Sequence, residues 1–249
     1  MRVLSIFGTR PEAIKMAPVV KALEDSPKIL SRICVTGQHR AMLDQALDFF
    51  DLHPDYDLNI MRKNQHLTDL TSTMLVSINK IIEKEKPDRV LVHGDTTTAL
   101  AATLASFYSQ IPVGHIEAGL RTGDINRPYP EELNRKLIDS IADMLFAPTK
   151  QAKQNLMAEG ISEQNIFVTG NTIIDALLHT TRKLDEDPRL AKIVGKLFPY
   201  PQKNKKLILV TGHRRESFGD GLKQICVAMK NIATRNDIDI VYPVHLNPN

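Results

Sequence analysis

Carboxylates, histidines and arginines recur in this sequence just after short apolar runs. The stretch "HIEAGLRTGDINRPYPEELNR", His115 to Arg135, carries Glu117, Asp124, Glu131 and Glu132 with arginines among them. The preceding apolar run, in "VLVHGDTTTALA", ends at His93 and Asp95. If these runs are neighbouring parallel strands, their ends face one cleft, because open parallel sheets bind ligands outside the carboxyl ends of their strands. Carboxylates crowded there raise one another's pKa by like-charge repulsion. A carboxylate lifted towards neutrality serves as a general acid or base. Position makes Asp95 and Glu117 the candidates. Asp95 has a competing reading as a helix cap. Glu131 and Glu132 follow Pro130 and fit an ordinary acidic first turn of a helix.

The cations fall at equivalent places. "FGTRPE" sets Gly8, Thr9 and Arg10 between an apolar run and a helical pattern, with Lys15 in its first turns. A glycine turn feeding a helix N-terminus is a usable phosphate site, and an arginine there can fork onto a phosphate or carboxylate. The spacing is not G-x-G-x-x-G, so NAD binding is not indicated. "VTGHRRES" repeats the arrangement with His213, Arg214 and Arg215. Two such loops suggest two nucleotide-binding folds facing each other across a ligand that carries a diphosphate. His39 and Arg40, after "VTGQ", are a weaker instance, and His53, His66 and His179 read as surface or packing residues.

The elements that must position these residues alternate. "RVLSIF" reads as a buried strand, "PEAIKMAPVVKALEDS" as a helix with Pro11 in its first turn, and Leu67 to Glu85 as a long amphipathic helix. Strand–helix units continue to "NIFVTGN", the pattern of an α/β protein with a parallel sheet covered on both faces. The expected organisation is a Rossmann-like domain over 1–184, a proline- and lysine-rich linker over 185–205, and the start of a second domain over 206–249. Two strands and one helix bury too little surface to stand as a doubly wound domain. The chain is therefore expected to be a truncated form, or to have its sheet completed by a partner.

Composition narrows the function classes. The 249 residues are 42% hydrophobic and 24% charged, with a net charge of +3 spread along the chain, which does not suit a nucleic-acid partner. No apolar run is long enough to span a membrane, and the N-terminal one is too short for a signal peptide, so a soluble, cytoplasmic protein is expected. Cys34 and Cys226 lie far apart inside apolar runs and read as buried thiols. Nothing has metal-ligand spacing, so no metal and no cofactor are expected.

Taken together, "FGTRPEAIKMAP", "VTGQHRAMLDQ", "VLVHGDTTTALA", "HIEAGLRTGD", "PYPEELNR", "VTGNTIIDAL", "VTGHRRESFG" and "YPVHLNPN" resemble the non-hydrolysing UDP-N-acetylglucosamine 2-epimerase family of bacteria, in register along essentially the whole chain. The resemblance implies two Rossmann-like domains of the glycosyltransferase-B type, the second incomplete here. It implies interconversion of UDP-N-acetylglucosamine and UDP-N-acetylmannosamine for surface polysaccharides, by anti elimination of UDP to 2-acetamidoglucal and re-addition. By the same resemblance Asp95, Glu117 and Glu131 form the acid/base set, Lys15 and His213 support the reaction centre, and Arg10 binds the nucleotide. An allosteric UDP-N-acetylglucosamine pocket would involve Gln38, Arg214, Arg215 and His245, and a homodimer is implied. Family members continue past "HLNPN", and Arg127 stands where a small polar residue is expected. The alternatives are an inactive truncated form that acts by binding or assembly, and a glycosyltransferase of the same fold.

Overall fold

The computed structural model describes residues 1–37, 40–61, 65–198, 204–212 and 220–243. The chain divides into two compact units, Met1–Thr180 and Thr181–Asn249.

The first unit is built on seven parallel strands: β1 (Arg2–Phe7), β2 (Leu30–Val35), β3 (Tyr56–Asp57), β4 (Arg89–His93), β5 (Val113–Ile116), β6 (Met144–Ala147) and β7 (Ile166–Val168), in the spatial order β3-β2-β1-β4-β5-β6-β7. The connecting helices are α1 (Arg10–Glu24), α2 (Arg40–Phe50), α3 (Leu67–Glu85), α4 (Thr97–Tyr108), α5 (Glu131–Ile141) and α6 (Lys150–Ala158); α7 (Ile173–Glu186) follows β7. The alternation of β1 explains why helices are needed on both sides. Leu4 and Ile6 join one core with Met74 and Ile78 of α3, Ala101 and Ala102 of α4, Ile138 and Leu156. Val3 and Phe7 point the other way, into a core with Met16 and Val20 of α1 and Leu43 and Leu47 of α2. Period-two burial on both faces is what a central parallel strand requires.

The order of strands reverses between β1 and β4, which pair directly, Val3 opposite Arg89 through Ile6 opposite Val92. That is the position at which open α/β sheets leave a crevice for ligands. Beside that crevice the end of β2 is tied to the first turn of α4. Thr36 and Thr98 share a buried hydroxyl–hydroxyl hydrogen bond of 2.9 Å directly beneath Gly8. A Cβ at Gly8 would fall 2.1 Å from Thr36 Oγ1 and 2.6 Å from Thr98 Oγ1. Gly8→Ala is therefore expected to destabilise the protein by about 1–3 kcal/mol through overpacking, read from its urea denaturation midpoint.

The second unit contains α8 (Pro188–Leu197), β8 (Lys206–Leu209), α9 (Asp220–Ala233) and β9 (Ile238–Val241). β8 and β9 pair in parallel, Lys206 opposite Ile238 through Leu209 opposite Val241. Leu207, Leu209, Val227 and Ile232 remain exposed, as one helix cannot cover a sheet on both sides. Two expectations change here. Much of the segment read as a linker is helical, because α7 runs to Glu186 and α8 begins at once, capped by Asp187, which accepts from the N–H groups of Arg189 and Leu190. Pro188 stands in the first turn of that helix, where its missing N–H costs nothing. Cys34 is buried as expected, but Cys226 is exposed, on the uncovered side of α9.

Candidate active site

The loop after β1 is organised by an acid. Thr9 caps α1, and Glu12 returns its carboxylate to the N–H groups of Gly8 (3.0 Å) and Thr9 (2.8 Å), completing a capping box. Its other oxygen accepts from Thr96 Oγ1 at 2.7 Å, which joins the loop after β1 to the loop after β4. Burial raises the pKa of Glu12 against the pull of these hydrogen bonds. The amides of Gly8 and Thr9 are thus already engaged by Glu12. The cation that the loop presents is Arg10, exposed at the start of α1 and without an ion pair to any described residue.

Glu117 follows β5 with φ +68°, a left-handed conformation that strains a residue with a Cβ. Two backbone bonds hold it there, from the N–H groups of Glu117 and Ala118 to the Phe146 carbonyl, both 3.1 Å. Its carboxylate receives Lys15 Nζ at 2.7 and 2.8 Å and Asn171 Nδ2 at 2.5 Å, and His93 Nε2 lies 3.5 Å away. Burial alone would raise its pKa; His93, Lys15 and Asn171 together overcome that and hold it below the usual range. Like-charge crowding was expected to raise Glu117, and its pKa is lowered instead, because His93, Lys15 and Asn171 surround the carboxylate. His93 is itself buried, its pKa pushed down to about 3 by desolvation, and neither ring nitrogen has a hydrogen-bond partner among the described residues.

Asp95 behaves in the opposite way. It does not cap α4; Thr96 does, accepting from the Ala99 N–H at 3.1 Å. The Asp95 carboxylate meets Arg135 Nη2 at 2.6 Å, and its backbone carbonyl accepts from Asn134 Nδ2 at 2.9 Å. Burial raises its pKa, Arg135 opposes, and the charges of Glu131 and Glu117 push it further up. The two neighbouring glutamates of α5 part company. Glu132 is buried and accepts from the Thr122 N–H at 3.1 and 3.2 Å, which fixes the loop after β5. Glu131 keeps one carboxylate oxygen buried with no partner among the described residues. Beneath these groups lies a buried cluster of His115, Asp139 and Arg121, in which Arg121 Nη2 meets Asp139 Oδ2 at 2.8 Å.

This rim of strand ends combines a carboxyl whose pKa is lowered, a second whose pKa is raised, and a lysine. It suits proton transfer to and from a substrate atom. A family model described as UDP-N-acetylglucosamine 2-epimerase matches residues 21–249. The chain belongs to the UDP-N-acetylglucosamine 2-epimerase family. It is 55% identical over 250 residues to the UDP-N-acetylglucosamine 2-epimerase of Salmonella typhimurium, covering all of this chain and 66% of that protein. Among solved structures, the UDP-GlcNAc 2-epimerase from Neisseria meningitidis bound to UDP-GlcNAc aligns with a TM-score of 0.94 at 50% identity, over 100% of this chain and 67% of the other. The Methanocaldococcus jannaschii UDP-GlcNAc 2-epimerase in complex with UDP-GlcNAc and UDP aligns at 0.84 and 38% identity, over 99% and 66%. The chain thus spans about two thirds of the length of these relatives. A lipopolysaccharide outer core galactosyltransferase, 14% identical with a TM-score of 0.55, shares the fold alone, that of the glycosyltransferase-B type.

Of the residues that the resemblance to the 2-epimerase family singled out, Asp95, Glu117, Glu131 and Lys15 converge on this rim, and Arg10 stands at the head of α1. His213, Gln38, Arg214, Arg215 and His245 lie outside the described residues. Sequence reasoning passed over Glu12, Asn171, Arg135 and Asp139. Only Glu12 left a local signal, the threonine three residues before it at the start of a helix.

The Lys15–Glu117 contact predicts a titration. Replacing Lys15 with methionine removes the ammonium that favours the Glu117 carboxylate, so the Glu117 pKa should rise, measured on its carboxyl carbon by NMR. A depressed folded-state pKa gives stability that is present above the unfolded value and lost as pH falls through the folded one. In Lys15→Met the folded value moves up towards the unfolded one, so the loss should be smaller and should be complete at a higher pH.

Proposed function

We propose that this chain acts on UDP-N-acetylglucosamine, interconverting it with UDP-N-acetylmannosamine at C2. One observation carries the reading: Asp95 and Glu117 lie at adjacent strand ends with their proton affinities driven apart, one carboxyl raised and one lowered. A carboxylate removes the C2 proton, the electron pair forms the C1–C2 double bond, and the C1–oxygen bond breaks to release UDP. Reprotonation of 2-acetamidoglucal on the opposite face and return of UDP to C1 complete the epimerisation. Glu117 enters as the ionised group and Asp95 as the group that more readily holds a proton, with Glu131 completing the set. Lys15 meets the charge that develops nearby, and Arg10 takes the diphosphate. His213 is assigned to the same centre by resemblance. The bound ligands of the Neisseria and Methanocaldococcus proteins support the choice of substrate.

Turnover in heavy water, with no nicotinamide added, tests the reading. Deuterium at C2 of both sugars is expected. Epimer formed without the label, or sugar transferred to an acceptor, would overturn the mechanism. The proposal includes a homodimer, checked by sedimentation, and a cytoplasmic location, checked by fractionation.

A further inference from the structure

His115 is fully buried and both of its ring nitrogens are engaged. Nδ1 lies 2.6 Å from Asp139 Oδ1, and Nε2 lies 2.7 Å from the Gly94 carbonyl oxygen. A carbonyl oxygen can only accept. Asp139 also accepts from the Gly119 N–H at 3.1 Å and from Arg121 at 2.8 Å. Burial works against ionisation of Asp139, but His115 and Arg121 hold its pKa below the usual range, so it too is an acceptor. Each ring nitrogen of His115 therefore carries a hydrogen and donates.

The three partners belong to three different elements of the site. His115 lies in β5, the strand that delivers Glu117. Gly94 precedes Asp95 at the end of β4, and its N–H is bonded to the Ile116 carbonyl at 2.9 Å. Asp139 lies on α5, whose first residue is Glu131 and which also carries Arg135, the partner of Asp95. We propose that His115, braced by Asp139, is a positioning residue that fixes the Gly94–Asp95 turn and helix α5 against β5, and so sets the spacing of the Asp95, Glu117 and Glu131 carboxylates. The functional part of this inference rests on the epimerase reading above; the geometric part does not. The chemistry of the cluster supports it. Apolar side chains of similar volume would fill the same space without the desolvation of buried charge. What they would not supply is two directional bonds, fixed by a flat ring, joining a turn to a helix. Gly119 is part of the same brace. Its φ is +83°, and a Cβ there would fall 2.4 Å from the Ala152 carbonyl oxygen, so only glycine fits where the loop offers its N–H to Asp139.

Two replacements separate the two bonds. Asparagine places its amide near the Nδ1 position, so His115→Asn keeps the Asp139 contact and loses Gly94. Glutamine reaches the Nε2 position, so His115→Gln keeps Gly94 and loses Asp139. His115→Asn is expected to lower kcat by at least about tenfold with KM within about threefold, since misplacing a reacting group costs rate before binding. His115→Gln should retain more of the rate. In the ligand-free chain the carbon resonances of the Gly94 carbonyl and the Asp95 carboxyl should move in His115→Asn and move less in His115→Gln. Unmoved resonances in both variants, or kcat unchanged in both, would overturn the proposal. If the unsubstituted chain exchanges no C2 proton, the epimerase reading fails, and the resonances still decide the positioning. If neither variant folds, the ring nitrogens of the unsubstituted chain decide. Both resonating as hydrogen-bearing at neutral pH supports the clamp, and a free lone pair on either one rejects it.

Discussion

Glu117→Gln should lower the rate of epimerisation by about 10²–10⁴-fold, the usual cost of losing a positioned acid or base. The replacement is nearly the same shape and keeps a carbonyl oxygen for Lys15 Nζ, which now lies 2.7 and 2.8 Å from the two carboxylate oxygens. It therefore removes proton acceptance more than it removes structure. Deuterium wash-in at C2 should fall with the rate, because both report the same proton transfer. The residue should keep its place in the loop, since its backbone is held independently by the Phe146 carbonyl. Asp95→Asn is expected to fall by a comparable factor. Asparagine retains a hydrogen-bond acceptor for Arg135, but it cannot hold and release a proton. The two variants should differ in pH dependence, because the environments of Asp95 and Glu117 shift their carboxyls in opposite directions. A rate for either variant within about threefold of the unsubstituted chain would exclude that carboxylate from the proton transfer.

Asp139→Ala should destabilise the protein by about 3–5 kcal/mol, the range for breaking a buried ion pair by deleting one partner. Asp139 is almost completely buried and satisfies three donors: His115 Nδ1, the Gly119 N–H and Arg121 Nη2. Alanine leaves all three facing a cavity. Arg121 has an escape, because Glu159 already accepts from its Nε at 2.9 Å and its Nη2 at 2.6 Å. His115 has none, being wholly buried with Gly94 as its other contact. Asp139→Asn, which keeps one acceptor, should cost less. Urea denaturation gives both values, and a loss under about 1 kcal/mol for alanine would mean that the cluster is not under the strain of burial described. The sign with pH follows from the depressed pKa of Asp139. Its contribution is complete above the ordinary carboxylate range and is lost as pH falls through the folded-state value, so the unsubstituted chain should lose its advantage over Asp139→Ala in acid.

Much of the fold was legible in the sequence because it depends on local periodicity. Leu67 to Glu85 reads as one long helix and is one, and the run "RVLSIF" alternates between the two cores. The site was legible where it depends on the same pattern. Asp95 and Glu117 each follow an apolar run, so parallel pairing of β4 and β5 puts them on one rim. Glu131 and Glu132 show the limit. They are identical in type, adjacent, and in the same helical turn. Only the packing of α5 turns Glu132 onto the Thr122 N–H and leaves a Glu131 oxygen buried without a partner among the described residues.

The sequence by itself determined which elements form, that they alternate as a parallel sheet requires, and that the polar residues gather at strand ends. The family resemblance was in the sequence too, in the motifs that sit at those ends. The tertiary structure alone decided what state each group is in. Lys15 and Asn171, which with His93 hold the Glu117 carboxyl below its usual range, lie 102 and 54 residues away along the chain, and Arg135, which opposes the rise at Asp95, lies at a distance of 40. A pKa answers to desolvation and to charges a few ångströms away through space, and separation along the chain carries no information about either.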